Sequence, residues 1–131
     1  MKNRTNVAAA LLLASIVIGC EDQGDPVTPP TTPTTTEVKF STDIVPLLTS
    51  KGCIGCHGGS GGLTVTSVAS LLTGGNNGPA IVPGKADSSN IVLKLRTPPP
   101  FGQRMPQGGP YLNTAEIKKF EDWINAGAKN N

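Results

Sequence analysis

The residue types best suited to chemistry crowd into one short stretch. Residues 51–59 read KGCIGCHGG and hold Cys53, Cys56 and His57, which are two of the chain's 3 cysteines and its only histidine. Two thiols separated by two residues, with an adjoining imidazole, permit metal holding, thiol exchange or attachment of a porphyrin. A structural zinc site takes about four Cys or His ligands, and the chain beyond residue 37 offers only these three. A thioredoxin-like pair belongs in a βαβ pattern, and none surrounds this one. A Cys53–Cys56 disulfide would close a very small loop and stabilise little. Cys-x-x-Cys-His is the attachment pattern of c-type haem. Two thiols add across the two vinyl groups of one porphyrin edge as thioethers, and the next residue presents its imidazole to the iron. Gly55 between them eases the tight turn.

One covalent haem c needs a second axial ligand, or an open site. No other histidine exists, and of the 2 methionines Met1 belongs to the N-terminal leader. That leaves Met105, in the loop TPPPFGQRMPQGGPY, where Pro106 restricts the backbone beside the sulfur. Thioether ligation opposite histidine raises a cytochrome's potential. The alternative is Met105 as a packing residue, with five-coordinate iron or a lysine ligand. A carbonyl near Pro79, in GPAIVPG, is a candidate partner for the second ring nitrogen of His57. Arg96, Arg104 and Trp123 are candidates for the haem propionates, or else the arginines are simply solvated.

Helices must position these groups. FSTDIVPLLTSKG reads as a short helix that Ser41 or Asp43 can cap. Capping by Asp43 puts Pro46 in the first turn, where its missing N–H breaks no intrahelical bond. Ile44, Leu47 and Leu48 share one face, and Gly52 is the stop. Residues 67–72 can make one or two helical turns. A further short helix is expected over 88–95, with Ile91, Val92 and Leu95 available for burial. The proline-rich loop around Met105 is neither helix nor central strand. The last helix carries a capping box, Asn113 with Glu116, and a staple of Leu112 and Ile117. Ile117, Phe120 and Ile124 form its apolar face with Trp123 adjoining, and Gly127 ends it. No convincing strand appears, so the fold class is all-α, with long Gly/Pro-rich loops.

Upstream lies a different kind of sequence. MKNRTNVAAALLLASIVIGC has a basic start and an apolar run from Val7 to Ile18, too short for the ~20 apolar residues of a membrane span. It fits a secretory signal peptide, residues 1–19. VIGC resembles a bacterial lipobox, which makes Cys20 the first mature residue and the lipid attachment point. Lipidation of Cys20 also leaves an even pair of thiols, Cys53 and Cys56. Residues 20–37 are rich in Thr and Pro and nearly devoid of apolar side chains, so they read as an extended tether. At ~3.1 Å per residue in a polyproline-like state, the tether spans up to roughly 50 Å.

The domain proper is 38–131. It holds nine Lys and Arg against five Asp and Glu, scattered without a stripe or aromatic interleaving, which argues against nucleic-acid binding. With few large apolar groups among many glycines, it is only marginally stable alone, and a cofactor is expected to fill its centre.

The assembled motifs resemble the class I-like small cytochromes c, and more closely the planctomycete-type cytochrome c domain. The resemblance rests on DIVPLL before CIGCH, GGL after it, GPAIVPG, IVLKL, Met105–Pro106 and EIKKFEDWINAGA, and runs from Phe40 to Lys129. It implies a one-haem helical fold whose first and last helices pack near the haem edge, with His57 and Met105 as axial ligands. The expected function is single-electron transfer by a lipid-anchored mono-haem cytochrome, not an enzyme. It would face the periplasm or cell surface, work between redox protein partners, and act on no small-molecule substrate. The alternatives are a haem-based sensor or peroxidase-like protein with a labile sixth ligand, and a permanent haem subunit of a larger oxidoreductase. The absence of a second histidine for distal acid–base chemistry disfavours the sensor and peroxidase readings.

Overall fold

The structure is a computed structural model that describes residues 36–131. The expected signal peptide, Cys20 and most of the tether lie outside the described residues.

The first helical run starts earlier than the sequence suggests. A widened π-turn occupies Phe40–Ile44 and leads directly into α1, Val45–Ser50. Neither Ser41 nor Asp43 is the N-cap; that position is Lys39, which provides no side-chain cap. Asp43 instead reaches back, its carboxylate accepting the Lys39 N–H at 3.0 Å. The shift has a cause in Pro46, whose ring crowds the carbonyl four residues earlier and whose nitrogen carries no hydrogen. The π-turn answers this with longer-range bonds, Ile44 N–H to Lys39 O at 3.3 Å and Val45 N–H to Phe40 O. The open N-terminal donors find partners from the far end of the chain. Phe40 N–H donates to Asn131 Oδ1 and Ser41 N–H to Asn131 O, both at 2.9 Å. Lys129 adds an ion pair to Glu37 at 2.7 Å. Gly52, at φ 72, stops α1 as expected.

The remaining helices are short until the last. α2, Cys53–Cys56, is a single turn. α3, Val68–Thr73, is capped by a serine version of the capping box: Ser67 and Ser70 each accept the other's backbone N–H. The helix expected over 88–95 divides into a 3₁₀ turn, Ala86–Ser88, and α4, Asn90–Leu95. Extended backbone at Ser89, φ −88 and ψ 121, separates them. α5, Thr114–Asn125, starts with the expected Asn113/Glu116 capping box. It ends in a Schellman motif around Gly127: Gly127 N–H bonds Ile124 O and Ala128 N–H bonds Trp123 O. Among the described residues there is no strand, only the isolated bridges Gly58–Thr64 and Gly75–Gly78. The all-α expectation holds for this region. No described helix is long and apolar enough to cross a membrane.

The core forms where α5 meets the first helical run. Phe120, Trp123 and Ile124 are buried against Phe40, Ile44 and Leu48. Phe40 and Trp123 stack with ring centroids 5.3 Å apart and planes inclined by 29°. Val92 and Leu95 of α4 and Leu71 of α3 join the same cluster. Burial at these positions is worth about 1.5–3 kcal/mol for each large side chain. A cleft opens directly beside the cluster, and Leu48 and Leu95 belong to both.

Candidate haem cleft

Each candidate ligand is presented by a different local device. The left-handed Gly52 turns the chain out of α1 and straight into α2, so Cys53 and Cys56 stand three residues apart on one helical turn and share a face. His57 follows at the end of that turn, its N–H bonded to Cys53 O at 2.8 Å. Both thiols are free. Burial pushes the Cys53 thiol above its ordinary 9.0, so it stands protonated at neutral pH.

The glycine-rich segment after His57 folds back on it. Val65 N–H donates to His57 O at 3.1 Å. Within the loop, His57 Nδ1 lies 3.2 Å from Ser60 O. A carbonyl oxygen can only accept, so this bond requires the hydrogen on Nδ1 and leaves the Nε2 lone pair for a metal. The partner is therefore Ser60 and not a carbonyl near Pro79. Pro79 O is engaged elsewhere, accepting from Asn90 Nδ2 at 3.0 Å.

Met105 arrives from the opposite direction in sequence, on the loop after α4. Its N–H donates to Lys94 O at 2.8 Å, which ties the loop to the end of α4. The side chain is partly buried and packs against the core.

These groups meet in one cleft of about 660 Å³, which Cys53, Cys56, His57 and Met105 all line. Its apolar walls include Leu48, Leu63, Ile91, Leu95 and Phe101. The volume lies within the ~300–1,000 Å³ range of cofactor pockets. The donor set fits a c-type haem: two free thiols, an imidazole with a free nitrogen and a thioether, on apolar walls. Neither a porphyrin-sized cleft nor an apolar lining is called for by a small polar ion.

The three residues expected near the propionates are placed otherwise. Arg96 is held by carboxylates, 2.7 Å from both Asp87 and Glu121. Trp123 is buried in the core, its Nε1–H donating to Lys129 O at 2.9 Å. Arg104 donates through Nε to Leu95 O at 2.7 Å. None of the three lines the cleft; its polar wall is instead made of residues such as Lys51, Asn76, Lys94 and Gln107. Lys51 is also paired with Glu116 at 2.8 Å, joining the approach to α2 to the start of α5. Sequence reading passed over Ser60 and the asparagines, because nothing local marks a loop carbonyl or amide as facing a cleft.

Comparison with known proteins agrees with this chemistry. The family model described as Planctomycete cytochrome C matches residues 53–107, from the first cysteine of the CxxCH turn to just past Met105. No curated protein and no solved structure matches the chain. The matched segment contains every candidate haem ligand and most of the cleft lining, and it supports a planctomycete-type cytochrome c domain.

Proposed function

We propose that the protein is a mono-haem c-type cytochrome that carries single electrons between redox protein partners, exported and held at a bacterial membrane through lipidated Cys20. The observation that carries this reading is that Cys53, Cys56, His57 and Met105 line one cleft. When bound, a haem supplies a one-electron iron couple. The chain's own residues do the rest. Cys53 and Cys56 hold the group as thioethers, which prevents its loss outside the cell. His57 offers Nε2 to the iron, kept in orientation by its bond to Ser60 O. Met105, which lines the same cleft, would hold the group through its thioether sulfur and so close the site to small ligands. Leu48, Ile91 and Leu95 keep water from the iron's surroundings. Held by both His57 and Met105, the group would keep one setting through its redox cycle, which suits a carrier. The Thr- and Pro-rich sequence of residues 20–37 would serve as the tether between anchor and domain, and contacts with donor and acceptor would be of the small, transient kind.

The test is spectroscopic. The chain is produced with haem-maturation machinery, and oxidised, reduced and CO-treated spectra are recorded for wild type and Met105→Ala. The expected wild type has a c-type reduced spectrum, a sulfur-to-iron charge-transfer band when oxidised, and no response to CO. Met105→Ala loses the band and binds CO. A wild type that already binds CO would put the sensor or peroxidase-like reading ahead. For the anchor, Cys20→Ser is expected to move the protein from the membrane fraction to the soluble one. Persistence at the membrane would overturn that part.

A further inference from the structure

Met105 sits on a loop, and its thioether can only serve the cleft if that loop is held. α4 ends at Leu95, and two successive carbonyls at its end are taken by two successive loop residues. Lys94 O accepts Met105 N–H at 2.8 Å, and Leu95 O accepts Arg104 Nε–H at 2.7 Å. The Arg104 guanidinium also lies over the Tyr111 ring, 4.2 Å from its centre, on the segment that leads into α5. Arg104 is half-buried. It takes part in none of the ion pairs among the described residues. Met105 lines the cleft, and its neighbour Arg104 does not. A guanidinium spent on a helix-end carbonyl and an aromatic face, beside the cleft but outside it, is arranged to hold backbone.

We infer that Arg104 is a positioning residue for Met105: it clamps the loop between the end of α4 and Tyr111, and so sets where the thioether enters the cleft. The inference rests on the reading of Met105 as an iron ligand. Lysine is no substitute, because a point charge on a flexible stem has neither the flat face nor the side-on Nε–H.

The experiment uses the full-length, haem-loaded protein as wild type, Arg104→Ala, Arg104→Lys and Met105→Ala. It reads hydrogen exchange at the Met105 amide and across α5, the sulfur-to-iron band, and the rate of CO binding. Both Arg104 variants are expected to speed exchange at Met105 by roughly tenfold or more, the scale of one hydrogen bond from a charged donor. The α5 amides stay at wild-type rates, the band weakens, and CO binds at least about tenfold faster. Unchanged exchange at Met105 in Arg104→Ala overturns the proposal. So does equal acceleration in α5, which is the sign of general loss of stability. Met105→Ala separates the two readings. If that variant keeps the band and ignores CO, the ligand assignment falls, and the positioning role toward the iron falls with it, whatever Arg104 does to exchange.

Discussion

Ser89→Ala removes one oxygen atom, and the structure makes its cost calculable. Ser89 is fully buried, at 0% relative exposure. Its hydroxyl accepts Val82 N–H and donates to Lys85 O, both at 2.9 Å. The two ends of this bridge do not suffer equally. Lys85 O also accepts Ser88 N–H at 3.1 Å, so it keeps a partner when the hydroxyl goes. Val82 N–H has no second acceptor among the described bonds. One orphaned donor costs about 1–3 kcal/mol, and the residue is too small for a cavity to add much. A central value of ~2 kcal/mol lowers the melting temperature of a domain this size by roughly 8–16 °C. Ser88→Ala is the internal control: Ser88 is exposed and its change should stay within about 0.5 kcal/mol. The assay is urea unfolding of the haem-loaded protein, with a lowered midpoint and unchanged slope expected for Ser89→Ala. If Ser89→Ala and Ser88→Ala unfold at the same midpoint, the reasoning from the orphaned Val82 N–H is wrong. The site also matters to the cleft, since Ser89 fastens the Ile81–Val82 segment to the start of α4, which carries Ile91 and Lys94 into the cleft wall.

Three further outcomes are expected. Gly74→Ala should cost more than about 3 kcal/mol, because a Cβ there meets Gly78 O at 2.0 Å on a backbone at φ 75, whereas Gly52→Ala, at φ 72 in open space, should cost about 1–2 kcal/mol; paired thermal melts check both. Asn131→Ala removes the acceptor of Phe40 N–H and should cost about 0.5–2 kcal/mol, as loss of a helix cap does; an unchanged melt would mean that solvent caps this end equally well. Glu116 is held below its ordinary 4.5 chiefly by the Lys51 ion pair, with the Asn113 backbone N–H adding to it. A carboxyl lowered in the folded state adds stability that is present above pH 4.5 and vanishes as the pH falls through the folded value. Glu116→Gln keeps an acceptor for Asn113 but not the charge, so its urea midpoint should fall below wild type at pH 7 and converge with it in acid. A gap that persists at pH 3 would show that the ion pair is not its source.

What the sequence made legible was what is local. The Asn113/Glu116 box and the Gly127 stop involve neighbours three or so apart, and both stand where expected. The CxxCH turn is equally local, and the entry of Met105 into the same cleft followed from elimination. What failed depended on distance or on competition. Arg96 is claimed by Asp87 and Glu121, nine and 25 residues away, before any propionate can recruit it. Pro79 O was a fair partner for His57, but the glycine-rich loop brings Ser60 O to Nδ1 instead, and Pro79 O accepts from Asn90. The capping of α3 escaped notice because Ser70 does with a hydroxyl what Glu116 does with a carboxylate. The early start at Phe40, prompted by Pro46, has its open N–H groups capped by Asn131, 91 residues further on, which no window along the chain connects to it.

That last connection has a mechanical consequence. A pull arriving along the chain at residue 36 first meets the Glu37–Lys129 pair, then the Asn131 bonds to Phe40 and Ser41, then the Phe40–Trp123 stack. All of these fasten residues 37–41 to α5 or to the tail just beyond it, and all precede Cys53 in the path of the force. Tension is therefore shunted into α5, the longest helix among the described residues, and the turn that carries Cys53, Cys56 and His57 lies off the line of stress.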